Sequence, residues 1–199
     1  MHLYIVQHGE TWANVEHRYL GSLDPGLTER GKQQAQALEA QLPSHIDAII
    51  VSPRLRAQQA ADILNRGLHL QLQTMDYFQE RDVGVFEGLT QAEAKDLHPH
   101  LWSQSIIRQW DIGLTGGESI ADVVMRVRGG LLGLAETLPS KIVVLVAHGF
   151  IAKTIRALAR QDFSDFYDWQ LPNGNVLVLE NFEVPSCTTY SLKNELPVS

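Results

Sequence analysis

Leu3-Tyr4-Ile5-Val6-Gln7-His8-Gly9-Glu10-Thr11 begins as an aliphatic run of buried-strand length and breaks at a histidine and a glycine. The same ending returns far downstream, where Ile142-Val143-Val144-Leu145-Val146-Ala147 runs into His148-Gly149. A third run, Ala48-Ile49-Ile50-Val51, stops at Ser52-Pro53, with Arg56 four residues past the serine. Near-continuous aliphatic strands bounded by helical stretches predict an α/β fold, a mostly parallel sheet with helices on both faces. In such sheets ligands collect beyond the carboxyl ends of the strands. Two imidazoles and a guanidinium are therefore expected to meet at one sheet edge.

Composition narrows the classes. A chain of 199 residues with 44% hydrophobic and 20% charged residues has enough apolar material for one core, so a single domain over residues 1–199 is expected. The net charge of −7 disfavours a nucleic-acid partner, whose phosphates the surface would repel. A small anionic substrate stays compatible if a local positive pocket is built against that background. The lone cysteine, Cys187, excludes an intrachain disulfide and fits a reducing compartment. No apolar stretch is long enough to span a membrane, and the first strand starts at residue 3. The expectation is a cytoplasmic protein without a membrane partner; a homodimer stays open.

Between the strands, Thr28 caps a helix whose stripe is Ala35, Leu38 and Leu42, ended by Pro43. Ser52-Pro53 reads as the start of the next helix, serine as cap and proline in the first turn, so Arg56 leans back over an N-terminus that favours anions. Leu70 to Thr74 reads as a strand and Phe78 to Gly88 as loop. Thr90-Gln91-Ala92-Glu93 is a capping box opening a short helix. It belongs to an insertion, about 89–117, expected to fold back over the sheet edge. There Trp102 and Trp110 read first as core residues. A long helix runs from Glu118 or Ser119 to about Leu138, weakened by Gly129, Gly130 and Gly133, and another covers Phe150 to Arg160. Leu171 to Asn175 is a turn before a strand at Val176 to Leu179, and a further edge strand is expected around Thr188 to Leu192.

A neutral imidazole is a competent nucleophile toward phosphorus, and the phosphohistidine it forms can itself be hydrolysed. Such transfer needs cations or dipoles on the phosphoryl oxygens and an acid for the leaving oxygen. His8 offers the nucleophile; Arg56, His148 and two helix N-termini offer the cradle; Glu80 or another loop carboxylate offers the acid. Gly9 and Gly149 would let backbone approach a bulky anion. Competing chemistries are weaker. Strand-end histidines also serve as zinc ligands, yet neither sits in an HxH, HExxH or CxxC spacing, and the only HxH is His98-Pro99-His100 in the insertion. No G-x-S-x-G elbow or Gly-rich nucleotide signature is present. No metal and no cofactor are expected.

Taken together, these motifs resemble the histidine phosphatase superfamily, in its phosphoglycerate-mutase-like branch, over nearly the whole chain. His8-Gly9-Glu10-Thr11 with Asn14 is similar to that family's signature, in which the histidine becomes phosphorylated. Ser52-Pro53-Arg54-Leu55-Arg56 matches the segment whose arginine grips phosphate, here Arg56. Glu80-Arg81 through Phe86-Glu87-Gly88 resembles the segment of the proton donor, which falls on Glu80. Gly116-Gly117-Glu118-Ser119 and Val146-Ala147-His148-Gly149 match the later motifs, the second supplying the other pocket histidine. The resemblance implies a three-layer fold and a metal-free, two-step phosphomonoester hydrolysis through a phosphohistidine at His8. It assigns catalysis to His8, Arg56, Glu80 and His148, and phosphate or substrate binding to Gln7, Gly9, Asn14, Arg56, Arg81 and His148.

One position departs from the family. Arginine is expected immediately before the nucleophile, and this chain has Gln7. Glutamine can still donate to a phosphoryl oxygen but brings neither charge nor a guanidinium fork. A lost charge-assisted bond is worth about 1.5–3 kcal/mol, roughly ten- to a hundredfold in rate or affinity. A slower phosphatase, a site compensated by a neighbour such as Arg81, or a non-catalytic phospho-ligand-binding protein would follow. A mutase-type phosphotransferase fits less well, because Leu89 to Gly117 holds only Lys95 and Arg108 as basic residues. Trp102, Ile107 and Trp110 would offer an apolar wall to an aromatic or nucleoside-like ester.

Overall fold

The computed structural model describes residues 1–185, so the edge strand expected around Thr188 to Leu192 lies outside the described residues, as does Cys187. Five strands form one sheet: β1 (His2–Gln7), β2 (Ala48–Val51), β3 (Leu72–Thr74), β4 (Ile142–Ala147) and β5 (Val176–Leu179), in the order β3-β2-β4-β1-β5. The first four are parallel; β5 runs antiparallel along β1.

The continuous aliphatic runs follow from burial on both faces. Along β4, Val143 and Leu145 face one way with Leu3, Ile5 and Ile50, while Val144 and Val146 face the other with Val6, Ile49 and Val51. Helices α6 (Ile120–Thr137) and α7 (Gly149–Arg160) cover the first face through Val127, Leu131, Ile151 and Leu158. Helices α2 (Glu29–Ala37) and α3 (Leu55–Leu64) cover the second through Ala35, Ala57, Ala60 and Leu64. This is the three-layer α/β arrangement expected from the strands. Among the described residues no helix is long and apolar enough to cross a membrane.

Local signals hold at most helix starts. Thr28 caps α2, Ser119 forms a capping box with Asp122 on α6, and Thr90 forms one with Glu93 on α4 (Gln91–Leu97). Pro99 opens a second short helix, α5 (Pro99–Ser103), after the break at His98. These two helices of the insertion have a small core of their own with Phe86, Ala94, Ile106 and Leu114.

Two expectations are corrected. Helix α3 starts at Leu55, and Ser52 does not cap it, because its hydroxyl is engaged elsewhere. Trp110 is not among the residues lining the cavity of Trp102 and Ile107: it packs edge-on against Phe163 at the main core, with ring centroids 5.1 Å apart. Trp102 and Ile107 do line a cavity of about 260 Å³, together with Tyr19, Phe86 and Arg108.

Candidate active site

Strand pairing builds the site. Gln7 and Ala147 are partners in the β1–β4 register, so His8 and His148 are the next residues at neighbouring strand ends. His8 N donates to Ala147 O at 3.2 Å, and the two imidazole centroids are 5.2 Å apart, edge to face. Both rings are buried.

The protonation of His8 follows from its partners. Nδ1 is 2.7 Å from the Gly9 carbonyl, which can only accept, so Nδ1 carries the proton and Nε2 presents its lone pair. Burial, reinforced by the Arg56 charge and opposed by the Gly9 hydrogen bond, pushes the His8 pKa down to about 3. The ring is neutral at physiological pH. His148 is likewise held well below its ordinary value, by burial first and then by Arg56. Its Nε2 is 2.7 Å from Ser52 Oγ, while its buried Nδ1 has no hydrogen-bond partner among the described residues. Ser52 Oγ also accepts from Arg54 N at 3.3 Å; in the tautomer where its hydroxyl proton goes to Nε2, the ring proton of His148 sits on Nδ1 as a donor.

Arg56 is fully buried rather than on the surface. Its Nε lies 3.2 Å from His8 Nε2, directed at the lone pair. Its Nη1 donates to Leu23 O at 2.8 Å and Nη2 to Gly21 O at 3.0 Å, with Asp24 at 3.5 Å. The loop offering those carbonyls is itself held by Glu87, whose carboxylate accepts from the amides of Gly21, Ser22 and Leu23. Glu80 sits at the start of α7: Oε2 accepts from Phe150 N at 3.3 Å and Oε1 from Arg81 N at 2.9 Å. Burial raises its pKa above the ordinary carboxylate value, against the pull of those two amides and of Arg56.

The remaining nominated residues divide. Gln7 reaches the start of α7, where a Cβ on Gly149 would stand 3.0 Å from Gln7 Oε1, and that buried oxygen has no partner among the described residues. Arg81, only 3% exposed, stacks over Phe150 and donates to Glu118 O (3.0 Å) and Ile107 O (2.7 Å), leaving its buried Nη2 without a partner among the described residues. Asn14 Oδ1 accepts from both Thr11 N and Thr11 Oγ1 at 2.9 Å, which commits it to the cap of α1 (Trp12–Val15). A Cβ on Gly9 would overlap the Gly31 carbonyl of α2, which by itself requires glycine there. Sequence reasoning missed Ser52 as partner of His148, and Asn173, whose Nδ2 donates to His8 O at 3.0 Å. The Pro-Asn-Gly-Asn signal marked only a turn.

A neutral imidazole whose Nε2 lone pair meets a buried guanidinium, together with an acid of raised pKa, forms the layout of a phosphoryl-handling α/β protein. The chain belongs to the histidine phosphatase superfamily (branch 1), whose family profile matches residues 3–184. It is 31% identical over 179 residues to phosphoserine phosphatase 1 of Hydrogenobacter thermophilus, covering 89% of this chain and 85% of that protein. It is 33% identical over 146 residues to the phosphatase PhoE of Bacillus subtilis, covering 73% and 70%. The structure of mycobacterial glucosyl-3-phosphoglycerate phosphatase in complex with VO3 superposes with a TM-score of 0.81 at 27% identity, covering 92% of this chain and 97% of that one.

Proposed function

We propose that the protein hydrolyses monophosphate esters of small metabolites in two steps, through a phosphohistidine on His8 Nε2. The observation that carries this reading is the pair of neighbouring imidazoles, one presenting its Nε2 lone pair to the Nε of Arg56 and the other with an Nδ1 unpartnered among the described residues. A phosphoryl group entering between them takes the N–H groups of Arg56 and His148 on its oxygens. Nε2 of His8 then attacks phosphorus as the P–O bond to the ester breaks, and Glu80 gives its proton to the leaving alkoxide. In the second step Glu80, now ionised, takes a proton from water; the resulting hydroxide attacks phosphorus, the P–N bond breaks, and inorganic phosphate leaves neutral His8. Neither step needs a metal or cofactor.

The substrate is a small phosphate ester, with no role for nucleic acid or membrane, in a cytoplasmic setting. The names of the two phosphatases with stated substrates describe phosphorylated molecules bearing a carboxylate. The unused Nη2 of Arg81, on the residue next to Glu80, fits a carboxylate on the leaving group. A second reading, a phospho-ligand-binding protein without turnover, draws on Gln7, whose neutral amide stands where the family's arginine is expected.

Hydrolysis of p-nitrophenyl phosphate in the presence of a chelator tests both. Turnover that survives chelation, disappears in His8→Ala and rises about tenfold or more in Gln7→Arg supports the phosphatase. Phosphate binding without turnover in both the native protein and Gln7→Arg would leave the binding protein.

A further inference from the structure

The segment leaving β2 sends three polar side chains to one place. Ser52 holds His148, Arg56 reaches His8, and between them Arg54 stands at the turn into α3. The Arg54 guanidinium bridges two segments. Nη1 donates to Ser22 O at 3.0 Å, and Nη2 to Gln79 Oε1 at 3.3 Å. Ser22 lies between Gly21 and Leu23, whose carbonyls hold Arg56, while Gln79 immediately precedes Glu80. One side chain therefore links the wall behind the nucleophile to the wall carrying the acid. Its Nε is buried and has no hydrogen-bond partner among the described residues.

The charge of Arg54 is also unspent. No carboxylate pairs with it among the described residues, whereas Arg126 is clamped by Glu118 at 2.7 and 2.8 Å. Both cations lower the pKa of His148, and Arg54 also acts on Arg56, so its field reaches the phosphoryl pocket. A neutralised guanidinium adds little to an anion site; an unneutralised one with a free N–H adds a charge-assisted bond. Arg81 likewise keeps one nitrogen unpartnered among the described residues, but its ties run to carbonyls of Glu118 and of Ile107 in the insertion, not to the loop that holds Arg56.

We infer that Arg54 binds the phosphoryl group through its free Nε–H and supplies the positive charge that Gln7 does not. This rests on the phosphoryl-transfer reading of the site. A double-mutant cycle between Arg54→Gln and Gln7→Arg tests it, with orthovanadate binding by calorimetry and p-nitrophenyl phosphate turnover as separate readouts. Arg54→Gln is expected to weaken orthovanadate ten- to a hundredfold, and Gln7→Arg to restore most of that loss in the double variant. Arg54→Lys, which keeps the charge and perturbs the fold less, is expected to bind within about tenfold of the native protein.

Native affinity in a folded Arg54→Gln protein would overturn the inference. So would a loss that Gln7→Arg leaves unrestored, since a purely structural clasp cannot be replaced from the opposite wall. If Arg54→Gln does not fold, Arg54→Lys decides: orthovanadate affinity within about tenfold of the native protein supports the inference, and a larger loss in folded Arg54→Lys overturns it. Arg54-dependent orthovanadate binding without any turnover would instead overturn the hydrolase reading and leave the role of Arg54 in place.

Discussion

In the proposed mechanism Glu80 must hold a proton when the ester bond breaks and must have lost it when water attacks. Burial serves the first requirement by raising its pKa, while the amides of Arg81 and Phe150 keep the ionised form accessible for the second. Because the proton goes to the leaving oxygen, its value depends on how basic that oxygen is. Glu80→Gln should therefore slow hydrolysis of an alkyl phosphate about 10²–10⁴-fold, and that of p-nitrophenyl phosphate far less. Steady-state rates on the two esters, compared in both proteins, check this; equal losses would remove Glu80 as the acid. Ser52 marks the limit of what single residues disclose. In sequence it is a helix cap before proline, and only the fold brings His148 to it from 96 residues away. The local hydrogen-bond option loses to a buried tertiary one, and no neighbouring residue signals the outcome.

At the scale of elements, the strands and the long helices were legible because their periodicity states how many faces are buried. The glycines of α6 were not, since a helix pattern cannot say which neighbour comes close. A Cβ on Gly130 would lie 2.6 Å from Tyr77 Cβ and 2.9 Å from Phe78 Cζ, whereas a Cβ on Gly133 would meet nothing within 4 Å. The two substitutions should accordingly differ in sign. Gly130→Ala overpacks the helix against the Asp76–Phe78 turn and is expected to cost about 1–3 kcal/mol. Gly133→Ala should add roughly 1 kcal/mol through helix propensity. Urea unfolding midpoints of the two variants separate these outcomes. The insertion was legible only in part: its capping box was visible, but the split at His98 and the burial of Trp110 against Phe163 depend on partners outside it.

Over the whole molecule, the two buried neutral imidazoles couple folding to pH. The unfolded chain takes up protons on His8 near the ordinary value of 6.5, and the folded chain only near about 3. His148 is displaced the same way. Within that window the unfolded state binds more protons, so stability rises with pH and is lost as pH falls below about 6.5, by about 1.4 kcal/mol per unit for each ring. Glu80 acts with the opposite sign above 4.5, because its folded pKa is raised. Unfolding free energies measured at several pH values in a Glu80→Gln background should isolate the histidine slope, and His8→Gln should remove about half of it. A slope unchanged by His8→Gln would contradict the neutral, buried ring.

The two rings sit on strands that come from opposite ends of the sequence yet lie side by side in one register, Gln7 against Ala147. Residues 9–141, with the insertion and the loops that meet a leaving group, hang between those anchors. Within it the insertion, about 89–117, holds none of Ser52, Arg56 and Glu80, so that part is free to lengthen, shorten or change its side chains over evolutionary time while the spacing of the rings stays constant. On the proposed mechanism, selectivity for the alcohol half of an ester and the chemistry at phosphorus are housed in separable parts of one polypeptide.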